Sequence, residues 1–140
     1  MDNLTLSRAI NGSQFLFKAT RTTNSLTLRC DSADRQLTPL CKAIETSWSY
    51  SPAKLLRAVL GRHGQSFEGV VSFAYHEDYP DELAPGVTAS YLDDEVNVAE
   101  SFFVGLVREF ALSYFEAAQI LGADVSHLAE LKASFVSLNA

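Results

Sequence analysis

Apolar and polar residues largely alternate along Leu4-Thr5-Leu6-Ser7-Arg8-Ala9-Ile10, the period of a strand with one face buried. Asn11-Gly12 follows, the pair best suited to positive φ in a two-residue hairpin turn. That turn sets Ile10 opposite Ser13, Arg8 opposite Phe15, Leu6 opposite Phe17 and Leu4 opposite Ala19. The matched face (Leu4, Leu6, Ile10, Phe15, Phe17, Ala19) is mostly apolar and is expected to face the core. A second turn near Thr23-Asn24-Ser25 leads into a third strand over residues 26–30.

Two helices are expected next. Thr38-Pro39 and Ser51-Pro52 each put a capping hydroxyl before a proline, whose missing N–H costs nothing in the first helical turn. The first helix presents Leu40, Ile44 and Trp48; a start at Ser32 would leave Pro39 inside it. The second presents Leu55, Leu56, Val59 and Leu60, with Gly61 as the left-handed stop. Period-two alternation returns over residues 67–75 and predicts one strand. A polar turn over residues 76–86 then precedes a strand over 87–92 and a short one over 95–98. Residues 100–121 carry Phe103, Val107, Phe110, Tyr114, Ala117 and Leu121 at 4-3-4-3-4 spacing, a heavily buried helix opened by an Asn97/Glu100 capping box and closed by Gly122. Asp124 or Ser126 caps a last helix with Leu128, Leu131, Phe135 and Leu138 on one side. Strands, two helices, strands and two helices make an α+β fold: an antiparallel sheet of about five strands with helices packed on one face. With no repeat or linker, residues 1–140 are expected to form a single globular domain.

Composition narrows the function. Apolar residues make up 47% of the 140 and charged residues 20%, a globular balance. A net charge of -6 argues against nucleic acid or anionic membrane as partner, since phosphate binding draws on cations. No apolar run is long enough to span a bilayer, and Met1-Asp2-Asn3 lacks the basic and apolar regions of a secretory leader, so a cytoplasmic location is expected. The charge is uneven. Residues 1–62 hold nine Lys or Arg and four acids, whereas residues 63–100 hold nine acids and no Lys or Arg.

No motif for chemistry stands out. His63, His76 and His127 are scattered, and His76-Glu77-Asp78 point in different directions on a strand end, so no metal site is expected. Cys30 and Cys41 have neither a CxxC spacing nor glycines beside them, and read as small buried hydrophobes. Gly61-Arg62-His63-Gly64 follows a helix, whereas phosphate loops open one. Loop carboxylates are plentiful, and nothing in the sequence selects two as a general acid and base. The expectation is no enzyme, no cofactor and no catalytic residue.

Two readings of the acidic block compete. In the plainer one its turns neutralise the basic N-terminal strands, each surface pair being worth about 0–1 kcal/mol. In the other, the turns project together as one anionic patch that steers a basic protein partner: Glu77, Asp78, Asp81, Glu82, Asp93, Asp94 and Glu95 for charge, with Tyr75, Tyr79 and Tyr91 as aromatic anchors. A small acidic α+β domain with clustered carboxylates and tyrosines between Tyr75 and Glu100 resembles the immunity proteins of bacterial toxin systems. That resemblance implies a single-domain cytosolic inhibitor that blocks a basic, nuclease-like toxin by presenting phosphate-like carboxylates to its cleft. The alternatives are a secretion chaperone or homodimeric structural subunit working through an apolar edge strand or the Leu112 side of the long helix, and a small hydrolase. The oligomeric state is left open by the sequence.

Overall fold

The computed structural model describes residues 2–139. Seven strands and four α-helices form an α+β fold with two antiparallel sheets. β1 (Asn3–Ile10), β2 (Ser13–Arg21) and β3 (Leu26–Ser32) make a three-stranded meander. The Asn11-Gly12 turn has both residues at positive φ (49° and 85°), and every pairing expected from it is present. α1 (Thr38–Tyr50) and α2 (Pro52–Gly61) follow. The second sheet is β4 (Gln65–Phe67), β5 (Val71–Tyr75), β6 (Val87–Tyr91) and β7 (Asp94–Val98), in that order. α3 (Glu100–Leu121) and α4 (Ala129–Val136) complete the chain.

The single sheet of about five strands is thus two sheets of three and four strands. The reason lies in α1. Pro39, Leu40, Cys41, Ala43, Ile44, Ser47 and Trp48 are all buried, far more than a one-sided stripe. α1 packs against β3 on one side and against β5 and β6 on the other. One sheet with helices on one face leaves half of such a helix in water.

Four further expectations change in detail. Thr38 does not cap α1: it lies inside the helix, and Leu37 is the N-cap with no side-chain hydrogen bond. The strand over residues 67–75 is broken, because Glu68 and Gly69 both adopt positive φ (55° and 71°) and turn β4 back onto β5. The left-handed stop of α2 is Arg62 (φ 54°), one residue after Gly61. The Asn97/Glu100 capping box does not form: Ala99 is the N-cap of α3, and Asn97 donates to Thr88 Oγ1 across β7 and β6 at 3.0 Å. Ser51 does cap α2, accepting from the Lys54 N–H at 3.2 Å. Asp124 accepts from the Ser126 N–H at 3.0 Å and starts a single 3-10 turn ahead of α4.

The core is one contiguous cluster drawing on both sheets and on all four helices. Trp48 stands at its centre, with ring centroids 4.9 Å from Tyr114, 5.1 Å from Phe135, 5.6 Å from Phe110 and 6.2 Å from Phe115. Phe110 also meets Phe17 of β2 edge-on at 5.9 Å, and Phe103 of α3 reaches Phe73 of β5 at 5.0 Å. The α3 stripe therefore ties the two sheets together. On the Leu112 side of α3 that residue is half-buried, with Arg108, Glu109 and Glu116 one turn away on the same side. Phe110→Ala is expected to cost about 3–5 kcal/mol by leaving a cavity between Trp48 and Phe17. Gln119→Ala, on the exposed side of the same helix, is expected to stay within about 0.5 kcal/mol. Urea unfolding followed by far-UV circular dichroism measures both.

Candidate functional site

β6 separates the two acidic turns. β5 and β6 pair antiparallel with Tyr75 opposite Val87 and Val71 opposite Tyr91. The loop over residues 76–86 therefore leaves one end of the sheet, and the Leu92-Asp93 turn leaves the other. Five strand residues put them about 13 Å apart along β6. The ten expected site residues do not form one surface.

At the loop end most of the charge is used internally. Arg62, fixed in the left-handed conformation after α2, places its guanidinium between two carboxylates. Its Nε and Nη2 each donate to Glu100 at 2.9 Å, and Nη2 also donates to Glu77 at 2.9 Å. The Glu77 carboxyl is held below the usual carboxylate range, first by its own backbone N–H and then by Arg62. Asp78 serves the backbone: Oδ2 accepts from the N–H of Tyr75 at 2.8 Å and of Gly64 at 3.0 Å. Gly64 is packed so closely that an added Cβ would lie 2.2 Å from the Phe73 carbonyl oxygen.

Tyr75 cannot anchor a partner. It points into the core and is fully buried, edge-on to Phe103, with the Arg62 guanidinium 5.6 Å from its ring centroid. Burial pushes its hydroxyl pKa up, with Glu100 adding to the effect. The alternation on β5 required this, since Val71, Phe73 and Tyr75 share the inner face. Tyr79 is 58% exposed beside the exposed Asp81 and Glu82, neither of which is in an ion pair among the described residues. Tyr91 is half-buried, with Lys42 Nζ 5.9 Å from its ring centroid.

The opposite tip is different. The β4–β5 and β6–β7 turns lie side by side there, joined by the Leu92 N–H donating to the Val70 carbonyl at 2.8 Å. Leu92 and Val70 are both exposed, at 66% and 44%. Glu68, Asp93, Asp94 and Glu95 lie in these turns and at the start of β7. All four are exposed, and none is in an ion pair among the described residues. Leu92 also sits at φ 55°, where a non-glycine residue costs about 1–2 kcal/mol. No protein-family model, curated protein or solved structure matches the chain.

Glu68, Val70 and Leu92 escaped the sequence reading. Their signal was faint: residues 67–75 alternate so regularly that the turn at Glu68-Gly69 was hidden, and Leu92 read as the end of a strand. Elsewhere, Cys30 and Cys41 are both buried. The Cys30 thiol pKa is pushed up by its hydrogen bond with Cys41, by burial, and by Glu45 and Asp31, the wrong direction for a nucleophile. Among the described residues no group of three His, Cys, Asp or Glu is gathered as a metal site, and no helix is long and apolar enough to cross a membrane.

Asp78→Ala is expected to destabilise the fold by about 1–2 kcal/mol through two orphaned amides, whereas Asp81→Asn leaves the urea midpoint in place. Glu77, with its folded pKa below the unfolded value, contributes stability above the ordinary carboxylate pKa and loses it as pH falls through the lowered value. Arg62→Ala is expected to move the Glu77 titration up toward the ordinary range, as followed by side-chain carboxyl NMR shifts against pH.

Proposed function

We propose that this chain is a non-enzymatic binding protein, an immunity-type inhibitor that neutralises a basic, nuclease-like toxin, with the tip of the second sheet as its principal contact. The observation that carries this reading is Leu92. A two-residue hairpin turn with positive φ ordinarily takes asparagine, aspartate or glycine, which adopt that conformation at little cost. Here it holds a branched apolar residue that is 66% exposed and gains little from burial. Strain kept at an exposed apolar position points to selection for something outside the fold.

The surroundings support a protein partner of cationic character. Val70 extends the apolar centre, while Glu68, Asp93, Asp94 and Glu95 form its rim. Protein interfaces are commonly arranged this way: an apolar anchor supplies affinity and the charged rim steers encounter. Tyr79, Asp81 and Glu82 offer a second, smaller anionic contact at the far end of β6 for a partner that spans the sheet.

The test looks for a basic toxin domain encoded beside the gene, whose absence counts against the reading, and measures its association with the chain by stopped flow and the protection of cells expressing it. Association is expected to slow as salt rises. Reversal of Glu68, Asp93, Asp94 and Glu95 to lysine is expected to slow it at least tenfold with the circular dichroism spectrum unchanged. Leu92→Asn separates fold from function: it is expected to raise the urea midpoint by relieving the turn while speeding dissociation. An unchanged dissociation rate in Leu92→Asn, with unchanged association in the lysine variant, would overturn the reading.

A further inference from the structure

We propose that the free edge of β3, with the groove beside it, takes up an extended segment of another protein as a fourth strand of the first sheet. This surface is separate from the acidic tip. The ladder phase shows what the edge presents. The Cys30 N–H turns away from β2 and donates to Glu45 Oε2 on α1 at 3.1 Å, while on β2 the Arg21 N–H turns toward Asp2 at 2.8 Å. Thr27, Arg29 and Asp31 therefore bond to β2, and Leu26 and Leu28, both buried residues in phase with Cys30, point their N–H and C=O groups away from β2, toward the groove they line with α1. Among the described residues no hydrogen bond uses those groups of Leu26 and Leu28. Glu45 closes the ladder at Cys30, so the open stretch has a defined end.

Alongside this edge runs a groove of about 870 Å³. Trp48, Tyr114 and Leu128 line it, all nearly buried, and Ser49 and Tyr50 of α1 stand exposed across from the strand. A second hollow of about 510 Å³ shares Ser25, Leu26, Tyr114 and His127 with it, so the channel continues past the start of β3. An added strand would meet the apolar side chains with every second residue, and the polar outer face of the sheet with the others.

Charge on that outer face narrows the occupant. Arg29 lies directly across from Lys18, and Lys18 pairs with Asp31 at 3.2 Å. Arg29 is in no ion pair among the described residues. A segment alternating apolar with polar residues, and carrying an acid on the outward side next to Arg29, complements both features. A second copy of this chain fits poorly. By two-fold symmetry its α1 would have to stand on the far side of β3, where β2 and the α3 packed on it already are.

The experiment uses the intact chain and a panel of blocked octapeptides in which valine, leucine or phenylalanine alternates with threonine, each with a central glutamate or lysine on the threonine side. Binding is read by NMR chemical shifts and amide hydrogen exchange. At least one glutamate peptide is expected to bind with the Leu26 and Leu28 amides protected at least tenfold and with the Trp48 indole resonance shifted. It is expected to bind at least threefold more tightly than its lysine counterpart, and Arg29→Gln is expected to remove that difference. Ser49→Phe, an exposed change that fills the slot from the helix side, is expected to abolish binding; Leu28→Pro removes the outward N–H and is expected to do the same where it folds. The proposal is overturned if no peptide binds at millimolar concentration, if the shifts fall at residues 68–70 and 92–95 instead, or if Leu26 and Leu28 become protected through a concentration-dependent dimer.

Discussion

The burial of α1 on two opposite sides is the constraint from which the rest of the architecture follows. A helix with apolar groups on opposite sides has to be enclosed, and one layer cannot enclose it. The chain supplies a meander before the helix and a second meander after it, and α3 lies alongside to bridge the pair through Phe110 and Phe103. Even the buried polar side chain of α1 is used: the Ser47 hydroxyl donates to the Gln65 side chain on β4. Trp48 touches four aromatic side chains from α3 and α4, so the C-terminal helices are held by the same residue that anchors the first.

The acids of the middle segment fall into three physical classes that no count of charges separates. Asp78 accepts two backbone amides and acts as part of the loop's scaffold. Glu77 and Glu100 share Arg62, a cation contributed by the basic N-terminal half, as the neutralisation reading holds for these two. Glu68, Asp81, Glu82, Asp93, Asp94 and Glu95 stay in water, and among the described residues no ion pair uses their charge. Only the last class has electrostatic energy left to offer outside the molecule, because a carboxylate already committed to a guanidinium or to amides must give that up before it can meet a partner.

Local geometry was legible in the sequence, and the relation between distant segments was not. Asn11-Gly12 determines the whole first ladder, because a two-residue turn leaves one register that keeps the apolar face together. The 4-3-4 spacing of α3 and the Ser51 cap were equally plain. The division into two sheets was hidden, since alternation says that a strand has an inner face but not what that face meets. The same gap explains Tyr75 and Tyr79: four residues apart in sequence, one is fully buried at the end of β5 and the other 58% exposed in the loop. Alternation along β5 already implied the inward turn of Tyr75, yet a tyrosine next to acids invites a surface reading. Leu92 carried no motif at all; only its backbone angle and exposure distinguish it.

The tight apposition at Gly64 leaves a trace that should outlast sequence drift. With the Phe73 carbonyl where a side chain would begin, position 64 tolerates no heavier residue unless β5 retreats and Asp78 releases its amides. A glycine, an aspartate fourteen positions later, and an arginine two before the glycine that is matched by glutamates at 77 and 100 thus form a sparse signature fixed by sterics and charge. Distant kin of this chain, whose strands and helices have exchanged one apolar residue for another beyond recognition, would still be expected to keep those five.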